Sequence, residues 1–423
     1  MFKLINKIYK LYYYLESKIA FYPTIITLGG ILFTFFMFYL ESLNVSKWVI
    51  ETIPQLEIKD PDTAKTLLST IIGGLISLMV FSFSMVMVVL NQASSNFSPR
   101  LLPGLISNKN HQYVLGIYLS TIVYGILIFL SVESGDDKNQ LPILSVLFAI
   151  LFTVCCLALF IYFIHSISQA IQVNNIVKNI YVESSEKLKI LLQNEKPSLP
   201  TLDFNKWQTY TSKSVGYFGG INERSLKKII KEYKDLHLHI TVYKGKFIQY
   251  NDEIFKANQA LSQEQVKNII SCFKFSDGEF VTENYVLAYK QLTEIAVKAM
   301  SPGINDPGTA ILCLDYLTVL LKLRMEWNDK ADVENLNNHY LIKNIIPFKD
   351  ILSIILIELR KYCAADLIIV LKLLQMLHYL NQQKAAEFSF KNTIKEEFSI
   401  LKNEALNKVD NDADKQKIAL ISL

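Results

Sequence analysis

Up to about residue 166 the apolar residues come in unbroken runs separated by short polar stretches; beyond it they are spaced singly, at helical or strand period. A bilayer core takes about 20 consecutive apolar residues in helical form. Four runs meet that length: Phe21–Leu40, Leu67–Leu90 within the uncharged stretch Thr66–Pro99, Tyr113–Val132, and Leu141–Ile164. None of them contains Asp, Glu, Lys, Arg or His. The expected fold class is an α-helical integral membrane domain of four transmembrane helices, residues 1–166, followed by a cytoplasmic α+β region.

After the fourth run, Ile167, Ile171, Ile176, Val177, Ile180 and Tyr181 keep a helical spacing, interrupted at Asn174 and Asn175. This predicts a stem helix to about Leu192 and, with the Pro-containing linker Asn194–Lys206, a stem-and-linker segment 167–206. Residues 207–260 read as a small β-rich barrel- or sandwich-like domain. Its strands are expected near Ser214–Phe218, His237–Tyr243, Phe247–Tyr250 and Glu253–Ala257, around an amphipathic helix Glu223–Leu236. Residues 261–390 read as a helical domain, with helices from Glu283, over Pro307–Met325, and twice within Phe348–Gln382. The charged segment 391–423 reads as a peripheral tail.

Charge sets the orientation and narrows the partners. Lys and Arg favour cytoplasmic loops. Lys3, Lys7, Lys10 and Lys18 precede the first run, and Arg100 and Lys109 follow the second, whereas the other two loops are rich in acids. Both termini are therefore expected in the cytoplasm, with Tyr12, Tyr13, Tyr14, Tyr22 and Trp48 at headgroup level. The first run reads as a retained signal anchor. A net charge of +4 over 423 residues is too small to point to nucleic acid. The five cysteines have no metal or disulfide spacing and fit a reducing compartment.

Two features carry candidate chemistry. Along the second run Thr70, Ser77, Ser84 and Asn91 recur every seven residues, and Gln92 and Ser95 follow at its end. One reading is close helix packing through the small residues Ser69, Gly73 and Ser77. The other is a polar face lining a water-filled path or a subunit interface. The second feature is Ser301-Pro-Gly-Ile-Asn-Asp-Pro307, preceded by Lys290, Glu294 and Lys298 four apart. Here the spacing predicts an ion-pair ladder, a helix end at Pro302-Gly303, and a new helix capped by Asp306 with Pro307 first. Alternatively, Asn305 and Asp306 bind a cation, or the new helix start binds an anion. His165 falls at the membrane boundary. No cofactor motif, P-loop, dinucleotide loop or nucleophile–His–acid arrangement is evident.

Thr66–Leu102, Ile161-Tyr-Phe-Ile-His165, Gln291–Ala296 and above all Ala299-Met-Ser-Pro-Gly-Ile-Asn-Asp-Pro-Gly-Thr-Ala310 resemble the bacterial predicted membrane proteins of domain-of-unknown-function family 2254. The family often has Phe at Gly308, Asp at Glu294 and Arg at Lys298. The resemblance implies the arrangement of spans and cytoplasmic region in a bacterial inner membrane, and no activity. The leading expectation is a homo-oligomeric channel or transporter for an ion or small solute, with a cytoplasmic regulatory domain. Its candidate residues are Thr70, Ser77, Ser84, Asn91, Gln92 and Ser95, with Glu294, Lys298, Ser301, Asn305 and Asp306 as the cytoplasmic motif. The alternative is a membrane-tethered sensor or scaffold. A metal-assisted enzyme built on Glu294, Asn305 and Asp306 comes third.

Overall fold

A computed structural model describes residues 20–43, 45–46, 51, 55, 58, 60–96, 109–132, 141–193, 204–279, 284–330, 332–336, 339–364 and 366–423. The expectations for Tyr12–Tyr14, Trp48, Arg100 and most of the 194–206 linker lie outside the described residues. The chain divides into two compact units, one essentially residues 1–172 and the other 173–423.

Among the described residues, the first unit holds four helices long and apolar enough to cross a membrane. These are α1 (Phe21–Ser42), α2 (Pro61–Asn96), α3 (Lys109–Ser131) and α4 (Ile143–Ile171). Each covers one expected run. Two apolar clusters bind them. One joins Met37, Leu68, Tyr124, Ile128 and Val146; the other joins Leu75, Val89, Tyr118, Cys156 and Phe163. The Glu41 carboxylate accepts the Ser145 N–H and hydroxyl, both at 3.0 Å, in the first turn of α4. An acid at that end is also favoured by the helix dipole. His165 lies exposed on α4.

The stem is not continuous with the fourth span. At Gln172 the backbone turns extended (φ −66°, ψ 123°) and a new helix, α5 (Val173–Gln193), begins. The rest of this unit is β1 (Gln208–Thr211), β2 (Gly216–Ile221), α6 (Glu223–Glu232), β3 (Leu238–Ile240), β4 (Phe247–Ile248), β5 (Glu253–Ala257), α7 (Gln263–Ile270) and β6 (Phe273–Ser276). There follow α8 (Val286–Ala299), α9 (Pro307–Met325), β7 (Asp332–Asn335), β8 (Tyr340–Lys343), α10 (Phe348–Cys363), α11 (Leu367–Gln382), α12 (Phe388–Lys408) and α13 (Asp412–Leu420).

The strands form two sheets, ordered β1-β5-β3-β8-β7 and β4-β2-β6. They share one core with α6 and α7, built on Phe218, Leu226, Ile230, Ile240, Phe255, Ile269 and Leu341. The β-rich part therefore does not end at residue 260. It takes β6 from just beyond, and β7 and β8 from the segment expected to be helical, with β8 parallel to β3. The tail is not peripheral either: Ile394, Phe398, Leu401 and Ala405 are buried along α12.

Arg324, at the end of α9, is fully buried. A buried guanidinium is tolerated only when its donors are paired. Arg324 donates to the Trp327 carbonyl (2.6 Å), the Ile346 carbonyl (3.0 Å) and the Asp329 carboxylate. Asp329 in turn accepts the Phe348 N–H, at 3.0 and 2.9 Å, and so caps α10. Its own N–H donates to Glu387 at the start of α12. Asp329→Ala is expected to destabilise this unit by about 3 kcal/mol, because it strands a buried cation. Asp329→Asn, which keeps an acceptor, costs less. Chemical denaturation of the full chain in mild detergent, followed by tryptophan fluorescence, checks the order; equal midpoints for wild type and Asp329→Ala contradict it.

Candidate functional site

On α2, residues seven apart share a face, and an offset of two residues turns about 200° around the helix. The buried row is Leu68, Leu75, Ser82 and Val89, which meets the rest of the bundle. The predicted stripe, Thr70, Ser77, Ser84 and Asn91, is offset from it by two and lies almost diametrically opposite. All four are exposed, as are Gln92 and Ser95. A Cβ added to Gly73 or Gly74 would meet nothing within 4 Å. The small residues thus do not serve packing inside this chain. Thr70 and Ser77 donate to the carbonyls of Thr66 (2.8 Å) and Gly73 (3.0 Å), and Ser95 donates to that of Gln92 (3.1 Å). The stretch 66–90 is about 37 Å long as a helix, so Asn91 and Gln92 fall at its end.

The Ser-Pro-Gly-Ile-Asn-Asp-Pro motif is the connection from α8 to α9. The Ser301 carbonyl accepts the N–H groups of Ile304 and Asn305, both at 3.0 Å, and the Asp306 N–H returns to the Ala299 carbonyl at 2.8 Å. Asn305 has φ +48°, a left-handed conformation that Asn tolerates better than most residues. Asp306 accepts the Thr309 N–H (3.0 Å) and hydroxyl (2.6 Å), which hold its carboxyl below the usual range. Both residues are exposed; the Asp306 carboxylate is used within the turn, and Asn305 contributes its backbone N–H and left-handed corner. Glu294 and Lys298 lie half-buried on α8, and Lys290 reaches Glu279 rather than a ladder partner. Among the described residues no group of three or more His, Cys, Asp or Glu could hold a metal ion.

The structure adds a site that the sequence reading passed over. A cavity of about 400 Å³ lies within the second unit. One wall is Phe218, Gly220, Ile221, Asn222 and Glu223, from β2 into α6; another is Ile240, Val242, Tyr243 and Lys244, from β3 into its turn. Asn284–Val286 at the start of α8, Trp327, and Lys343–Ile346 complete it. The turn carrying Lys244 is tied to β2: Gly245 N–H donates to the Phe218 carbonyl, and Phe218 N–H to the Lys246 carbonyl, both at 2.9 Å. Asn284 Nδ2 holds the Lys244 carbonyl at 3.3 Å. Lys343 bonds Glu223 (2.8 Å) and Asp332 (3.2 Å). Burial works to raise the Glu223 carboxyl pKa, but Lys343 and Lys227 outweigh it and leave it lowered. Burial likewise opposes the charge on Lys343, and the two carboxylates hold its pKa raised. The available signal was Gly219-Gly220 between a strand and a helix; Lys244 read only as a turn residue.

If Asp306 and Asn305 act as cap and left-handed corner, their substitution follows backbone rules. Asp306→Ala is expected to cost about 1 kcal/mol and Asp306→Ser much less. Asn305→Gly is expected to be tolerated, and Asn305→Val to cost about 1–2 kcal/mol. Thermal melting of the four variants checks this; Asp306→Ser as damaging as Asp306→Ala would contradict it.

Comparison with known proteins agrees with the spans. The chain is similar to an uncharacterized protein of Mycobacterium bovis and to one of Mycobacterium tuberculosis, each 23% identical over 277 residues. Those residues are 62% of this chain and 52% of each relative, so the match spans about half the length of the curated relatives. No solved structure matches the chain. The model of a family described as predicted membrane protein (DUF2254) matches residues 16–379. With four membrane-length apolar helices and a match over most of its length, the chain belongs to this family of predicted membrane proteins.

Proposed function

We propose that the protein is a homo-oligomeric channel or transporter for an ion or small solute, its pathway lined by the exposed face of α2 and its opening governed by the cytoplasmic unit. One observation carries the reading: Thr70, Ser77, Ser84 and Asn91 run along α2 opposite its packed face, beside the open surface of Gly73 and Gly74. Asn91 and Gln92, at the end of the span, would then stand at the mouth of the path, and the hydroxyls of Thr70, Ser77 and Ser84 within it. Hydroxyls bonded to their own helix offer only oxygen lone pairs outward, a surface suited to a partly hydrated cation or a neutral solute. Four spans are few for a monomeric transporter, and repetition of α2 around an axis would complete a path. The charge bias of the loops supports an inner-membrane orientation with both termini in the cytoplasm.

The sensor reading has its own support in the cavity of the second unit, which suits ligand binding whether or not the spans conduct. Purified protein in liposomes separates the two. Ion flux is expected, reduced several-fold by Ser84→Leu and by Asn91→Leu, and a Ser77→Cys variant of a cysteine-free chain is expected to cross-link between copies. No flux for any small ion, or flux unchanged in both leucine variants, would remove the channel reading.

A further inference from the structure

Two turns of the β-rich part are bonded to each other and display apolar side chains. One, Ser212–Val215, joins β1 to β2; the other, Gln249–Asp252, joins β4 to β5. Ser212 N–H donates to the Asp252 carbonyl at 2.8 Å, and Asn251 N–H to the Ser212 carbonyl at 2.9 Å. Each turn is also closed on itself. The Ser212 hydroxyl donates to the Ser214 carbonyl (2.7 Å), and the Asp252 carboxylate accepts the Gln249 N–H (2.8 Å). Just inside the turns β2 pairs with β4, Tyr217 opposite Phe247, with the two ring centroids 5.0 Å apart, edge to face. The paired turns are therefore a fixed part of the fold.

On this frame Val215 is 59% exposed, Tyr250 62% and Phe247 46%. Together the three side chains leave on the order of 300 Å² open, against about 800 Å² per partner in a stable protein interface. The patch is thus too small to hold a second protein chain by itself. It suffices for reversible contact with a lipid surface, to which the chain is already tethered by its four spans. The charges point the same way. Lys213 and Lys246 are exposed beside the apolar residues and enter no ion pair among the described residues. Asp252 is used within its turn, and Glu253 holds Lys256 at 3.6 Å. Asp277, one residue beyond the pairing of Ser276 with Tyr217, opposes the two lysines singly.

We propose that the paired turns dock on an anionic lipid surface, with Val215, Phe247 and Tyr250 entering the headgroup layer and Lys213 and Lys246 meeting lipid phosphates. Tyrosine favours the headgroup level, where one end of the ring is apolar and the other wet. Lysines at such a surface are drawn to anionic lipids. Because the turns are already fixed, docking orders little that is not ordered beforehand. The proposal concerns a surface of the second unit alone and does not rest on the pore reading.

The test uses the full chain in vesicles of phosphatidylcholine alone and of a three-to-one mixture with phosphatidylglycerol, both with brominated acyl chains that quench nearby indoles. Tyr250→Trp adds an indole at the patch; Phe388→Trp adds one at another exposed position, at the start of α12. Read against wild type, the added indole of Tyr250→Trp is expected to be quenched at least twofold more in the mixed vesicles than in phosphatidylcholine, and that of Phe388→Trp equally in both. Lys213→Glu with Lys246→Glu is expected to remove the difference at an unchanged melting temperature. Equal behaviour of the two indoles, or a difference that survives the charge reversal, would overturn the proposal. So would an indole at position 250 shielded from aqueous iodide as well in detergent as in both vesicles, the outcome expected of a second copy of the chain covering the patch. Quenching is read without flux, so failure here leaves the pore reading standing, and the reverse.

Discussion

A guanidinium with no access to water is costly unless acceptors meet it, and the corner after α9 is built around the two terminal nitrogens of Arg324, with Nε alone left without a hydrogen-bond partner. Arg324 draws the Trp327 and Ile346 carbonyls and the Asp329 carboxylate to itself, and lies 5.3 Å from the Trp327 ring centroid and 5.9 Å from that of Phe390. Asp329 then starts α10 and receives a tie to α12 in the form of Glu387. Three helices distant in sequence are thereby fixed by one cation. Two of its acceptors, Trp327 and Ile346, also line the cavity. The same ion that organises the helical layer therefore also fixes part of the cavity wall.

In the membrane unit the governing constraint is different. There the backbone satisfies itself within each helix, and what distinguishes the helices is which face finds a neighbour. Helix α2 buries Leu68, Leu75 and Val89 and leaves outside Gly73, Gly74 and the Thr70–Ser77–Ser84 stripe, flanked by the exposed Val80, Phe81, Met87 and Val88. A helix intended only as an anchor gains nothing from glycine there, since Gly lowers helix propensity by about 1 kcal/mol relative to Ala. A glycine pair on the outer face is favoured by close approach of another helix backbone or by a path that needs width. This is why the stripe, and not the apolar spans in general, carries the functional proposal.

Legibility in the sequence tracked locality. The four spans were visible because uncharged runs of that length have few other uses. Helix α9 was read to the residue, Pro307 to Met325, because Asp306-Pro307 is a local start signal and the chain carries its own cap. Strand β5, Glu253–Ala257, was likewise read to the residue from alternation between turns. Strands β7 and β8 were missed, since Asp332–Asn335 has no apolar alternation and β8 is held parallel to β3 about a hundred residues away. Nothing near them announces that partner. The tail was misread for another reason: Ile394, Phe398, Leu401 and Ala405 do form a helical stripe, but the surrounding charge masked it. Of the two candidate sites, the α2 stripe could be read because both its members and its spacing are contiguous. The cavity could not, because its wall is assembled from eight separate stretches of chain and Arg324 gave no sign of being buried.

The Asn305–Asp306 motif shows how far a specific pattern can be from a binding site. Its hydrogen bonds are spent on its own turn, and its exposed carboxylate already accepts two donors from Thr309. A ligand would have to displace a cap worth about 1 kcal/mol to use that oxygen. The cavity of the second unit stands in the opposite situation. Its walls are fixed by the Phe218–Gly245 bonds and by the β2–β6 pairing, and they border a volume of about 400 Å³. A fixed wall around open space can receive a ligand without dismantling the backbone turn that forms it. Of the two, therefore, the less conspicuous sequence has the stronger claim to a ligand.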